Sequence, residues 1–419
     1  MVVRGYGLQV LPPFRPTEIL DKTQPKNMQM NTSPNTPSPA FSIGDTRKLV
    51  GDLFQHNGLV YWIDFLLCWS MGMFIYAHGR TYAAKLYLAD FDTNWKMDWM
   101  YIPGDRATLW LLYLLFTIIA ALLYYRIAMF IHEIVHMRGR NLIAFRFVWN
   151  ALCGIPFLVP SFVYYPHLDH HRRRHYGTQQ DGEYLPLGQR APWQILLYLM
   201  HPLVVPPLVF IRFLFFTPLA WILPGFRSLV HKRCSSMIID PTYCRPFDDP
   251  MTKRIFYLQE FFCFLWLLTL VSVVWFSKST LPWPFFIQSY TTAVIILSLN
   301  ALRTLGAHRW TNDKDQMSFE EQLLDSVNYP YNPILGEIWA PVGLRFHALH
   351  HLFPNIPYYN LGKAHRRLTD QLPVESIYHQ TSQTTLTKQL LDLWRRSKQS
   401  SIRNRPKTAL DGSVPDSQQ

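Results

Sequence analysis

Eight of the 16 histidines in this 419-residue chain fall into three tight sets: His132 and His136 in HEIVH, His167, His170 and His171 in HLDHH, and His347, His350 and His351 in HALHH. On an α-helix, positions i, i+3 and i+4 lie on one face, so HxxxH offers two imidazoles together and HxxHH three. Each set is then a clamp for a metal ion from one side. At this histidine content an accidental HxxHH arises in roughly one chain in fifty, and a pair of them in fewer than about one in a thousand, so chance is a weak explanation. Imidazole suits Fe, Zn, Cu and Ni alike, but eight of them exceed the four ligands of a zinc ion and point to two metals with open positions.

Neutral ligands leave the metal charge uncompensated, and their free ring N–H groups need acceptors. Glu133 and Asp169 stand inside the boxes, with Asp181, Glu183, Asp313 and Glu337 in segments around them, and any of these can orient a ligand imidazole. His175, four residues past His171, belongs with this outer set more readily than with the ligands. His56, His78, His201, His231, His365 and His379 have no partner at ligand spacing and are assigned nothing.

Long apolar runs must position the boxes. The chain is 49% hydrophobic, 15% aromatic and only 16% charged, which is the composition of a membrane protein. Its net charge of +12 is spread between and after the apolar runs instead of forming one compact basic domain, so lipid headgroups explain it better than nucleic acid. Five cysteines without a CxxC pair give no disulfide framework and no thiolate metal site.

The expected architecture is an all-α integral membrane protein with about four transmembrane helices, interfacial helices and a cytoplasmic helical cap carrying the boxes. A flexible Pro-rich arm occupies residues 1–58, and a membrane domain spans 59–368. Crossings are expected near 59–76, 107–131, 255–276 and 285–302. An amphipathic helix and a disordered tail complete the chain over 369–419. Residues 193–223 are apolar but broken by His201, Pro202, Pro206, Pro207 and Arg212. If the three boxes serve one site, an even number of crossings separates HLDHH from HALHH, and the final hairpin already supplies two. Residues 193–223 are therefore re-entrant or interfacial. Arg172, Arg173, Arg174, Lys232, Arg233, Lys253, Arg254, Arg303 and Arg309 all fall on the box side, which makes that side cytoplasmic.

HEIVH, HLDHHRRRHYGT and FHALHHLFPNIPYYNLGKAHRRL resemble the three histidine boxes of the membrane fatty-acid desaturase family, within the wider membrane di-iron superfamily. Their order, spacing and position after transmembrane hairpins match as well, over roughly residues 59–368. The resemblance implies a di-iron centre that takes O2 as co-substrate and oxidises an unactivated C–H bond. By the family pattern His132, His136, His167, His170, His171, His347, His350 and His351 are iron ligands, and His308 in LRTLGAHRW fits the place of a ninth. No catalytic residue beyond the metal centre is implied. Some animal members carry an Asn four residues before that ninth histidine, where this chain has Thr304 and its nearest Asn is Asn300. HxxxH in place of HxxxxH leans toward the bacterial and plant acyl-lipid type.

The leading expectation is introduction of a double bond into a fatty acyl chain of a lipid. A hydroxylase or ketolase acting on a lipid or carotenoid is the alternative within the superfamily. Electrons come from a separate donor, ferredoxin or cytochrome b5, since no HPGG-type haem motif occurs. The rival from another class is an intramembrane zinc protease, in which HEIVH serves as HExxH and Glu133 activates a zinc-bound water; it leaves the other six boxed histidines without a task.

Overall fold

A computed structural model describes residues 41–87, 104–137, 142–246, 250–276, 283–313 and 315–403. The N-terminal arm before residue 41, the far-side loop around Asp90–Asp98, the link near Lys278 and the tail after residue 403 lie outside the described residues. Among those described there is no β-strand, only isolated bridges such as His308 with Ser326.

Twelve helices carry the argument. They are α1 (Gly58–Tyr87), α2 (Arg106–His136), α3 (His167–His170), α4 (Trp193–Met200), α5 (Val205–Ile222), α6 (Pro250–Phe276), α7 (Trp283–Ala307), α8 (Phe319–Asp325), α9 (Pro333–Trp339), α10 (His347–Leu352), α11 (Tyr358–Gln371) and α12 (Leu386–Arg403). Five of these, α1, α2, α5, α6 and α7, are long and apolar enough to cross a bilayer. Four coincide with the expected spans, and α5 falls within 193–223.

α1 and α2 form an antiparallel pair. Asp105 caps α2 by accepting from the Thr108 amide at 2.8 Å. Gly72 lets the two helices approach, because a Cβ there would stand 2.7 Å from the Tyr124 ring. α7 leans on both: Gln288 donates to the Tyr76 carbonyl at 2.9 Å, and Tyr76 meets Ser289 at 2.7 Å. Outward rows such as Leu59, Ile63, Leu67 and Phe74 of α1, and Leu111, Leu114 and Ile118 of α2, remain exposed, as hydrocarbon-facing surface should.

The contacts of 193–223 run from α7 to α6. Ile195 and Tyr198 of α4 pack against Ala301 and Leu305, near the box end of α7. The Leu203 carbonyl accepts from Tyr290 at 2.9 Å, about 22 Å farther down the same helix at 1.5 Å per residue. The chain then climbs beside α6. Phe213 joins Phe162 and Phe256, close to the box end of that helix, and buried Arg212 donates to Glu260 at 2.5 Å. A π-helical turn over Arg212–Phe216 interrupts α5.

Beyond the box ends, α8, α10, α11 and α12 form a helical cap. A capping box, Ser318 with Glu321, opens α8. α10 and α11 share a core of Phe346, Leu349, Leu352, Leu361, Ala364 and Leu368.

Candidate metal centre

The last turn of α2 delivers His132 and His136 with ring centroids 5.5 Å apart. The Pro166–His170 turn brings His167, His170 and His171, α10 brings His347, His350 and His351, and His308 follows directly on α7. All nine imidazoles converge, in two groups. One holds His132, His136, His167, His171 and His350; the other holds His170, His308, His347 and His351, and the ligand nitrogens of each group lie within 4.8 Å of one another.

This partition corrects the expectation that each HxxHH clamps a single metal. His167 and His171 enter the five-membered group while His170 joins the other; His347 and His351 enter the four-membered group while His350 crosses back. At 100° per residue, positions i and i+4 are 40° apart, whereas i+3 and i+4 diverge by 100°. The middle imidazole of each box therefore faces the neighbouring group.

Within the five, the Nε2 of His171 lies 3.0 Å from that of His167 and 3.1 Å from that of His350, which is 3.2 Å from that of His136. Within the four, His347 Nε2 lies 3.0 Å from His308 Nε2 and 3.0 Å from His351 Nε2. Two nitrogens each about 2.1 Å from one ion and at a right angle to each other are about 3.0 Å apart.

The outer partners fix which nitrogen is free. His167 Nδ1 meets Glu183 at 2.9 Å and His170 Nδ1 meets Asp181 at 2.7 Å. His308 Nδ1 meets the Tyr176 oxygen at 2.8 Å, and that hydroxyl donates onward to Asp325 at 2.8 Å. With Nδ1–H so engaged, each Nε2 turns a bare lone pair toward its group. Among the described residues, His132 has no hydrogen-bond partner at either ring nitrogen, and His347 and His350 have none at Nδ1. Lone pairs buried face to face are unfavourable unless a cation stands among them. The donor set thus fits two metal ions, and five imidazoles exceed what zinc ordinarily takes.

Burial holds His167, His171, His347, His350 and His351 well below the usual imidazole range, with the neighbouring imidazoles adding to the effect. His308 is also lowered by burial, against the pull of Asp325. His170 is the exception: burial opposes its proton, yet the Asp181 carboxylate, helped by Glu183 and Asp325, carries it above the usual value. Asp181 and Asp325 stay below the carboxylate range despite burial, held there by His170 and His308 and by backbone N–H donors.

The expected outer set divides. Asp181 and Glu183 take up imidazoles, but Glu133, Asp169 and His175 turn elsewhere. Glu133 lies 100° around α2 from His132, and its Oε2 accepts from Tyr61 at 2.6 Å and from the Tyr358 amide at 3.2 Å. Asp169 pairs with Arg172 at 2.6 Å and His175 at 3.5 Å, and His175 also receives Arg174 at 3.1 Å. Glu337 is engaged by Arg126 at 3.0 Å, and Asp313 has no hydrogen bond to a boxed histidine among the described residues. Sequence reasoning missed Tyr176 and Asp325. Tyr176 lies within the second box segment, adjacent to His175, whereas Asp325 ends an ordinary capped helix and carries no signal.

The fatty acid desaturase family model matches residues 108–382. The chain belongs to that family. A ceramide hydroxylase of Caulobacter vibrioides (strain NA1000 / CB15N) is 38% identical over 296 residues, which cover 69% of this chain and 82% of that protein. No solved structure matches. Family and relative together define a multi-pass membrane oxidoreductase that is oxygen-dependent and acts on lipid. They leave no place for the protease reading of HEIVH, whose general base, Glu133, is held by Tyr61 and Tyr358.

Proposed function

We propose that the chain hydroxylates an aliphatic carbon of a ceramide-type membrane lipid, using O2, two electrons and two iron ions held by the nine imidazoles. The observation that carries the metal assignment is the convergence of five and four Nε2-facing imidazoles in one buried centre. The choice of reaction and lipid rests on the ceramide hydroxylase relative. Desaturation of a fatty acyl chain is the second reading, favoured by the description of the matching family.

Bound there, the iron pair would activate O2 for attack on an unactivated C–H bond. In hydroxylation one oxygen atom enters the C–H bond and the other leaves as water with two protons and two electrons. In desaturation two hydrogens leave the chain and both oxygen atoms become water. Asp181, Glu183 and the Tyr176–Asp325 pair orient the imidazoles by accepting their Nδ1 protons. Burial of His132, His167, His170, His308, His347 and His350, each 3% exposed or less, excludes water from the reacting space. The box side is assigned to the cytoplasm because Arg172, Arg173, Arg174, Lys232 and Arg233 cluster there, and residues 193–223 are assigned as re-entrant.

The test is lipid mass spectrometry of cells with and without the full chain, grown under 18O2. A ceramide gaining one 18O atom supports hydroxylation. A lipid that loses two hydrogens and gains no label replaces it with desaturation. No change in any lipid, or full activity in both His170→Ala and His350→Ala, overturns the assignment.

A further inference from the structure

O2 chemistry on a C–H bond needs two electrons that this chain does not carry, and the cap offers one place where they can enter. α12 is clamped onto the segment that follows His308. Gln389 donates to the His308 carbonyl at 2.7 Å, Arg396 to the Arg309 carbonyl at 2.5 Å, and Ser397 to the Arg190 carbonyl at 2.5 Å. Three strips run along this helix. Gln389, Leu393 and Ser397 are buried against the cap. Leu391, Trp394 and Ile402 are exposed apolar residues, 49%, 37% and 59% accessible, and suit contact with lipid. Lys388, Arg395, Gln399 and Arg403 form a third, exposed strip that faces neither.

Beside the basic strip opens a recess of about 260 Å³ lined by Gly188, Gln189, Trp310, Thr311, Arg396 and Arg403. Trp310 is among its lining residues. Its ring is fully buried, donates to the Leu305 carbonyl at 3.0 Å and lies 5.3 Å, centroid to centroid, from His308. Trp310 thus both lines the recess and stands beside an imidazole of the four-membered group.

We propose that the α12 strip and this recess are the docking site of a small acidic one-electron carrier protein, and that Trp310 is the route by which its electrons reach His308. The proposal rests on the oxidoreductase reading, which requires two successive one-electron deliveries: each oxidises one carrier molecule and reduces the metal centre by one electron. Charge complementarity selects the occupant. Lys388, Arg395 and Arg403 line up on one exposed strip, with Arg190 and Arg396 next to it, and the lone acid on the helix, Asp392, lies 3.7 Å from Arg395. The basic run Arg172–Arg174 is engaged elsewhere: Arg172 by Asp169, Arg173 over the Phe319 ring at 4.4 Å, and Arg174 by His175.

The full chain in nanodiscs, with two probes used in turn, a [2Fe–2S] ferredoxin and a soluble cytochrome b5, tests this. The dissociation constant of the oxidised carrier is measured first, with no turnover involved. Arg395→Glu/Arg403→Glu weakens binding of at least one carrier by roughly tenfold or more and flattens its salt dependence, while turnover driven by reduced methyl viologen is unchanged. Trp310→Leu binds the carrier with parental affinity and retains its metal but is reduced more slowly, and Trp310→Phe recovers most of the rate. Unchanged affinity for both carriers in Arg395→Glu/Arg403→Glu overturns the docking site, as does an equal loss in Arg172→Glu/Arg174→Glu. If anionic lipid in the nanodisc tightens the parental chain's hold on its membrane and the α12 variant alone loses that response without losing carrier affinity, the strip is a headgroup seat. Parental reduction rates in Trp310→Leu overturn the route. Failure of methyl viologen to support turnover in the parental chain would instead count against the oxidoreductase reading.

Discussion

The five-imidazole and four-imidazole groups share the second and third boxes and differ in what stands behind them. Among the described contacts, the five-membered group has one carboxylate behind it, Glu183 on His167. The four-membered group has two, Asp181 on His170 and Asp325 behind Tyr176 and His308. Asp325 in turn accepts from Tyr184 at 3.1 Å and from the Thr311 amide and hydroxyl at 2.9 and 2.8 Å. The larger group thus relies on number of ligands, and the smaller on anionic support. A dication held by four neutral rings needs such support more than one held by five, and leaves more positions for groups that are not protein.

The sharpest way to break this contrast is to remove one ring from each group. His350→Ala and His347→Ala are each expected to lower turnover by more than about a hundredfold and to cut bound metal from about two equivalents to about one, read by elemental analysis of the purified chain. Loss of both metals from either variant would mean that the groups load as a unit.

Next in size are the outer carboxylates. Asp325→Asn should weaken metal retention by roughly 10- to 100-fold, and more than Glu183→Gln does, because three further donors converge on Asp325; competition with a chelator measures both. Equal losses would erase the asymmetry.

Acid should also separate the groups. His170 holds a proton above the ordinary value of 6.5, whereas His167, His171 and His350 hold theirs well below it. As pH falls toward that value protons compete for His170 first, so the four-membered group is expected to release its ion at higher pH than the five. In the metal-free protein the sign is the opposite: the raised value stabilises the folded chain below about pH 6.5 and this contribution is lost as pH rises through the folded value. Metal content followed by titration decides the order.

The smallest effect is expected of Glu133→Gln. An amide oxygen still accepts from Tyr61 and the Tyr358 amide, so the cost is about 1 kcal/mol of stability with both metals retained. Complete inactivation with one zinc bound would restore the protease reading.

Much of this arrangement is legible in the residue pattern. The eight boxed histidines advertise themselves by spacing, and His308 follows from the family pattern that places a ninth after the last long helix. The direction of Glu133 is also readable, since a residue 100° from His132 cannot join it. The reciprocal exchange of His170 and His350 follows from the same wheel once two metals are admitted. Asp325 was not legible: it is brought to His308 by the bridge between residues 308 and 326, a tertiary contact with no periodicity. For 193–223 the parity of crossings is the sequence's one handle, because proline-interrupted apolar runs look alike whether they cross or turn back.

The hydrogen bonds at Glu133 bear on how the protein is made. Its carboxylate joins Tyr61 near the start of α1 to the backbone of Tyr358 at the start of α11, 225 residues beyond Glu133. During synthesis the first hairpin emerges with two imidazoles and a buried acid that has half its partners, and neither imidazole group has its full set until α10 supplies His347, His350 and His351. The complete ligand set of either group is thus a late product of translation, joined across the whole membrane domain.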